Sequence, residues 1–221
     1  MRSVASRTLV AVVVSFLVAS TGPVARAEEN VRLAQADTAD GGATPDLASS
    51  ESERRTGLRE VGFRIAYGYS TRQDVQVIPL YVHGGWWLPG LIDDPLAELN
   101  LDLEYYLEGW IGGATGGPQD AIDFGINPIG FKISYDAGQA VVPYFTGGLG
   151  VMYTGLGGMR LGGPFEFNET VGAGLEIFPQ EDWAITIGFR YRHISNAGIS
   201  DDNLGLDTLF GQIGFSWYPR R

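Results

Sequence analysis

Residues 183–192 read Trp-Ala-Ile-Thr-Ile-Gly-Phe-Arg-Tyr-Arg, so large apolar side chains alternate with small or charged ones. Because successive side chains of a β-strand point to opposite faces, this alternation predicts a strand with one apolar and one polar face. His193 and Ser195 continue the apolar face, which places an imidazole and a hydroxyl on an otherwise apolar surface. This segment is therefore the first candidate for a reactive site.

The same alternation recurs along the chain and predicts an all-β fold. Eight runs are present, covering about residues 61–69, 78–86, 99–107, 122–135, 145–153, 165–177, 183–195 and 209–217. In the fourth run the apolar parity changes at Asn127-Pro128, which predicts a β-bulge because proline cannot donate to the ladder. Eight runs of about ten residues, separated by turn residues, fit a closed eight-stranded antiparallel β-barrel.

The composition of the two faces favours an outer-membrane barrel over a soluble one. The polar face carries acids and bases that can pair inside a narrow lumen, among them Asp102, Glu104, Arg64, Lys132 and Arg190. Aromatic residues near the predicted strand ends, including Trp110, Trp217 and Tyr218, are typical of interfacial girdles. A soluble lipocalin-like carrier is the alternative, since alternation alone does not say which face is inside.

The N-terminal part of the chain reads as an export signal followed by a leader. Arg2 and Arg7 precede a short apolar run, and Ala25-Arg26-Ala27 is an A-x-A cleavage site. We therefore predict a signal peptide at 1–27, a disordered acidic leader at 28–58 and a transmembrane barrel at 59–221. The net charge of −11 argues against nucleic-acid binding, and the absence of cysteine excludes disulfides and thiolate metal sites.

The lengths of the predicted connections assign the two ends of the barrel. Residues 112–119, 155–164 and 196–205 form long connections, whereas 136–140 and 179–182 are short. Long loops lie outside and short turns face the periplasm in barrels of this kind. His193 and Ser195 are then expected near the extracellular rim of the outer membrane, facing lipid.

A third residue completes a candidate nucleophilic site. Asp207 shares the parity of the apolar residues in the eighth run, so it is expected on the same face as His193 and Ser195. A neutral imidazole can take a proton from a hydroxyl that attacks an ester, and the imidazolium formed needs an orienting acid. A lipid-facing carboxylate is costly without a partner, and His193 would supply one.

The end of the chain resembles a known family. The motif His193-Ile194-Ser195-Asn196-Ala197-Gly198, followed by Asn203-x-Gly205 and Asp207, resembles the PagL lipid A 3-O-deacylase family of eight-stranded outer-membrane barrels. The resemblance implies an esterase that removes the 3-O-linked acyl chain of lipid A, with lipopolysaccharide as substrate. We predict no cofactor, and two histidines without cysteine give little support for a metal site.

The resemblance also assigns roles to residues. It makes Ser195 the nucleophile, His193 the general base and Asp207 the acid, at a position where the family usually has a glutamate. It places oxyanion donors at the backbone N–H groups of Ala197 and Gly198 and at the side chain of Asn203.

Other readings remain open from sequence alone. A non-catalytic structural or adhesive barrel is the second functional hypothesis, and a homodimer is neither required nor excluded. His83 is expected in the lumen, hydrogen-bonded to a neighbour. Asp201-Asp202-Asn203 lacks the spacing of a calcium loop and is assigned to an exposed connection.

Overall fold

The computed structural model describes residues 57–70, 74–88 and 96–219. They form a closed barrel in which every strand is antiparallel to its neighbours and β1 pairs with β8. The strands are β1 Leu58–Ser70, β2 Val75–Trp87, β3 Leu101–Thr115, β4 Ala121–Tyr135, β5 Val141–Thr154, β6 Phe165–Gln180, β7 Trp183–Ser195 and β8 Leu206–Trp217. The predicted signal peptide and residues 28–56 of the predicted leader lie outside the described residues.

The barrel turns its apolar side chains outward, as predicted for a membrane protein. Exposed side chains on the strands include Phe63, Leu80, Ile129, Phe189 and Ile213, and Phe189 is 77% exposed. A soluble lipocalin-like barrel would bury this face, so the alternation is resolved in favour of the transmembrane barrel. No helix among the described residues is long and apolar enough to cross a membrane.

The lumen is filled by ion pairs. Arg190 forms a bidentate pair with Glu108, with N–O distances of 2.5 and 2.8 Å. Lys132 Nζ lies 2.5 Å from both Glu60 Oε2 and Glu176 Oε1. These five side chains are almost completely buried, and each charged group lies against one of opposite sign inside the barrel.

Strand pairing confirms the bulge and corrects one connection. The β4–β5 register shifts between Ile126 and Ile129, which is the bulge predicted at Asn127-Pro128. Gly112 and Gly113, predicted to lie in a loop, belong to β3 because they pair with Pro79 and Ile78 of β2. Because glycine has no side chain, the alternation of the strand is not visible in this stretch of sequence. The β3–β4 connection is only residues 116–120.

Two aromatic residues lie on the opposite face from the one predicted. Trp110 and Tyr218 were expected in an interfacial girdle, but they are buried inside the barrel, at 6% and 1% exposure. Trp110 has the inward parity of Glu104 and Glu108, and Tyr218 follows the last strand and contacts Lys132 Nζ at 3.0 Å. By contrast, Trp217 is 48% exposed on the outer face.

Candidate active site

The last hairpin brings His193 and Asp207 into direct contact. They are cross-strand partners in the β7–β8 register, and His193 Nδ1 lies 2.7 Å from Asp207 Oδ1. Their side chains are 32% and 27% exposed, and their neighbours Ile194 and Leu206 are fully buried on the other face. The pair therefore lies on the outer face of the barrel, half-covered and accessible from outside.

Ser195 is the last residue of β7 and has the same outward parity as His193. Residues two apart on a strand have Cβ atoms about 6.5–7 Å apart, a gap that an imidazole and a hydroxyl can span. Because Nδ1 of His193 is engaged with Asp207, Nε2 is the ring nitrogen that can serve the hydroxyl. The three predicted residues thus share one face of one hairpin.

A second donor fixes the acid. The Tyr191 hydroxyl donates a hydrogen bond to Asp207 Oδ1 at 2.7 Å. Tyr191 precedes His193 by two residues and has the same outward parity. The carboxylate is therefore held by two side chains of β7, which restricts its orientation toward the imidazole.

Gly205 lies against the imidazole just before β8. Its φ of +66° is in the left-handed region that favours glycine. A Cβ built on this residue would lie 2.8 Å from Cε1 of His193, so only glycine leaves the ring its present position. The Gly205 of the motif is thus explained by both backbone conformation and close approach.

The predicted oxyanion donors lie on the connection between β7 and β8. Ala197 and Gly198 have φ values of +55° and +81° and form a left-handed turn directly after the serine strand. The Gly198 N–H donates to Asn196 Oδ1 at 2.9 Å, so this donor is occupied within the turn. Asn203 accepts a hydrogen bond from the Asn196 N–H through Oδ1, which leaves its amide NH₂ group for another partner.

Asn196 anchors this connection to the neighbouring loop. Its side chain is 5% exposed, and Nδ2 contacts the Leu161 carbonyl, the Ser200 hydroxyl and the Asp202 carbonyl at 2.9–3.0 Å. Leu161 belongs to the 155–164 connection and packs in a buried cluster with Ile194 and Leu206. The segment after Ser195 is therefore held by the hydrogen bonds of Asn196 and by the packing of apolar side chains in the barrel mouth.

The other histidine is in the lumen, as predicted. His83 is 3% exposed, its ring stacks on Tyr106 at 5.1 Å, and Nε2 lies 3.3 Å from both Ser216 Oγ and Glu60 Oε1. Within the part of the chain that the structure describes, no group of three or more His, Cys, Asp or Glu side chains is arranged to hold a metal ion.

Three residues around the site were not identified from sequence. The alternation predicts Tyr191 only as an apolar strand residue, and Gly205 enters only as part of the motif. Glu169 of β6 is exposed and is the cross-strand partner of His193 on the side opposite Asp207. Its odd parity, shared with Phe167 and Val171, was the signal that could have revealed it.

Comparisons with known proteins agree with this architecture. The family model described as "Lipid A 3-O-deacylase (PagL)" matches residues 62–216, from within β1 to within β8. The crystal structure of the outer membrane enzyme PagL superposes with a TM-score of 0.52 at 21% identity, covering 71% of this chain and 97% of that one. The fold is thus that of an outer-membrane β-barrel.

Two curated relatives align over parts of the chain. Lipid A deacylase PagL of Pseudomonas aeruginosa is 31% identical over 109 residues, which is 47% of this chain and 58% of the relative. Lipid A deacylase PagL of Bordetella bronchiseptica is 37% identical over 69 residues, which is 30% of this chain and 36% of the relative. The aligned segments therefore span from about a third to somewhat over half of these relatives.

Proposed function

This chain belongs to the lipid A 3-O-deacylase (PagL) family, and from that premise we propose that it is an outer-membrane esterase that removes the 3-O-linked acyl chain of lipid A. The observation that carries the proposal is the 2.7 Å contact between His193 Nδ1 and Asp207 Oδ1 on the outer face, with Ser195 two residues along the same strand.

The proposed reaction uses the two ring nitrogens of His193 for different tasks. Nδ1–H donates to Asp207, and Nε2 takes the Ser195 hydroxyl proton as Oγ attacks the ester carbonyl. The tetrahedral intermediate collapses as the imidazolium gives its proton to the departing sugar oxygen at position 3. Water then attacks the acyl-serine by the same route, which releases the free fatty acid and restores the serine.

The negative charge on the carbonyl oxygen needs donors near Ser195. We assign this role to the Ala197 N–H and to the side-chain amide of Asn203. Gly198 can contribute only if its N–H leaves Asn196 Oδ1. One such donor is worth about 10²–10³ in kcat. The conformation of the turn after Ser195 is therefore expected to affect the rate strongly.

An active site on the outer wall suits a substrate that stays in the membrane. Each methylene transferred from lipid to water costs about 0.8 kcal/mol, so a site that required lipid A to leave the bilayer would be slow to fill. Below the site the outer wall offers Leu209, Phe189 and Gly211, and Gly211 has open space where a Cβ would stand. An acyl chain can lie along this surface while its ester reaches Ser195.

Replacement of the nucleophile or the base tests the proposal. We expect Ser195→Ala and His193→Asn to fold normally and to lose at least about 10³-fold in release of 3-hydroxy fatty acid from lipopolysaccharide. Folding is checked by heat-dependent migration on gels and by circular dichroism, and release by mass spectrometry of lipid A and of free fatty acids. Ser134→Ala, which removes a buried serine of β4, is the matched control and should stay active.

The competing hypothesis of a non-catalytic barrel predicts a different result. In that case refolded wild-type protein leaves the mass of lipid A unchanged, and simultaneous replacement of His193, Ser195 and Asp207 has no further effect. Full activity in either single variant would remove the serine–histidine mechanism while leaving deacylation itself in place.

A further inference from the structure

The outer wall of the barrel carries very few charged side chains. Within the strands that the structure describes, outward-facing positions hold two carboxylates, Glu169 and Asp207, while Arg59, Arg64, Lys132, Arg190 and Arg192 all face the lumen and are buried. A charged group facing lipid is costly unless it has a partner. The position of these two acids therefore requires an explanation.

Both outward carboxylates flank the same histidine. Glu169 of β6 and Asp207 of β8 are the direct cross-strand partners of His193 on its two sides. Directly opposite residues in an antiparallel pair have Cβ atoms about 4.5–5.5 Å apart. Because Phe167 pairs with Ser195, Glu169 is also the diagonal neighbour of the serine, at about 7–8 Å.

Glu169 does not orient the imidazole. Nδ1 of His193 lies 2.7 Å from Asp207, and Tyr191 fixes that carboxylate from the same strand. Nε2 must remain available to Ser195 if the hydroxyl is to be activated. The orienting role is therefore filled, and Glu169 stands beside the reacting pair as an exposed hydrogen-bond acceptor.

The surroundings of Glu169 point to a polar group brought by the substrate. Phe167 and Val171 precede and follow it on the outer face and are 43% and 39% exposed, so its outward neighbours on β6 offer it no donor. An ester placed over Ser195 would bring the ring that carries it against this carboxylate. In an acylated glucosamine, the ring carbons beside position 3 carry an amide N–H and a hydroxyl, and both can donate.

We propose that Glu169 is a specificity residue that accepts hydrogen bonds from the amino-sugar ring beside the scissile ester. This inference rests on the proposed deacylase function. The carboxylate selects ring donors over phosphate, because two negative groups would repel in this poorly screened position. It thereby sets the face of the sugar that meets β6 and turns the phosphate groups away from it.

Two substrates separate sugar recognition from ester chemistry. One is lipopolysaccharide, and the other is p-nitrophenyl dodecanoate in detergent micelles, an ester without sugar donors. We expect Glu169→Ala to lower kcat/KM for lipopolysaccharide by about 10- to 100-fold and to leave nitrophenyl ester hydrolysis within about twofold of wild type. Glu169→Gln keeps an acceptor oxygen and should recover part of the loss.

Val171→Ala is the matched control, because it shortens the next outward residue of β6 without touching an acceptor. It should change both rates by less than about threefold. Equal losses on both substrates in Glu169→Ala would overturn the inference and show that the residue acts on the serine–histidine chemistry. Unchanged rates on both would overturn it as well. A wild-type protein that cleaves the nitrophenyl ester but not lipopolysaccharide would overturn the deacylase proposal itself.

Discussion

The barrel contains two histidines, and each lies near a serine and an acid. On the outer wall His193 accompanies Ser195 and Asp207, whereas in the lumen His83 accompanies Ser216 and Glu60. The residue types are nearly the same in the two places. Their geometry and their access to lipid are different, and those differences decide which of them can perform chemistry.

In the lumen set, which is His83, Ser216 and Glu60, the imidazole contacts both partners through one ring nitrogen. The outer set is His193, Ser195 and Asp207. His83 Nε2 lies 3.3 Å from Ser216 Oγ, 3.3 Å from Glu60 Oε1 and 3.4 Å from Arg64 Nη2. A base that receives a proton from serine while an acid orients it needs the two partners on opposite nitrogens. In addition, the His83 side chain is completely buried, so no lipid ester can reach it. A serine, a histidine and an acid in proximity are therefore insufficient evidence for a catalytic site.

Among the variants that test this comparison, replacement of Asp207 should lower the deacylation rate most. Asp207→Asn keeps the size of the side chain but no longer stabilises an imidazolium, and it can favour the wrong tautomer of His193. We expect a loss of about 10³–10⁴ in kcat for deacylation. The measurement is release of fatty acid from lipopolysaccharide by protein with a confirmed barrel fold.

Asp207→Glu is the control for charge, because it keeps a carboxylate on a side chain one methylene longer. It should retain activity within about tenfold of wild type. If Asp207→Asn deacylates at the wild-type rate, the carboxylate contact is structural, and the outer set loses the feature that distinguishes it from the lumen set.

Replacement of Gly205, which packs against the His193 ring, should lower the activity of the same site by a smaller factor. Gly205→Ala would place a methyl group 2.8 Å from the His193 ring and strain a backbone at φ +66°. We expect about a 10- to 100-fold loss of activity, since small misplacements of a catalytic group cost about that much. Gly158→Ala also puts alanine at positive φ, but its nearest neighbours are Pro118 atoms at 3.6 Å or more, so it should stay active.

An outcome in which both glycine variants lose activity equally would attribute the effect to backbone strain and not to the imidazole contact. The comparison of the two glycine variants thus measures how strongly activity depends on the position of the His193 ring. Thermal unfolding of both variants, followed by circular dichroism, separates loss of fold from loss of alignment.

The architecture could be predicted from the sequence because alternation is a local property. Phe63, Leu80 and Ile187 were assigned to the outer face from parity alone, and all three are exposed. The same rule failed where side chains carried no information, as at Gly112 and Gly113. It also failed for Trp110, because an aromatic residue of inward parity was assigned to a girdle by its residue type.

The candidate site was predictable only in part. His193 and Asp207 follow from a motif and from parity, and their cross-strand pairing follows from the hairpin register. Glu169 depends on the pairing of β6 with β7, whose register is set by the two-residue turn 181–182 together with a register shift between Ile177 and Gln180. The occupation of the Gly198 N–H by Asn196 depends on a turn conformation that the residue letters do not specify.

The smallest effect is expected in the lumen. Ser216→Ala removes a hydroxyl that is fully buried and 3.3 Å from His83 Nε2. We expect a change in the free energy of unfolding of about 1 kcal/mol, the usual net value of one hydrogen bond, and a deacylation rate within about twofold of wild type. Unfolding in urea and fatty-acid release from lipopolysaccharide measure the two quantities on the same sample. A large loss of activity in this variant, with the fold intact, would mean that the lumen residues are energetically coupled to the residues on the outer wall. The two histidines could then no longer be treated as separate. If activity is unchanged, the lumen residues His83, Ser216 and Glu60 take no part in the proposed reaction, and the outer residues His193, Ser195 and Asp207 remain its candidates.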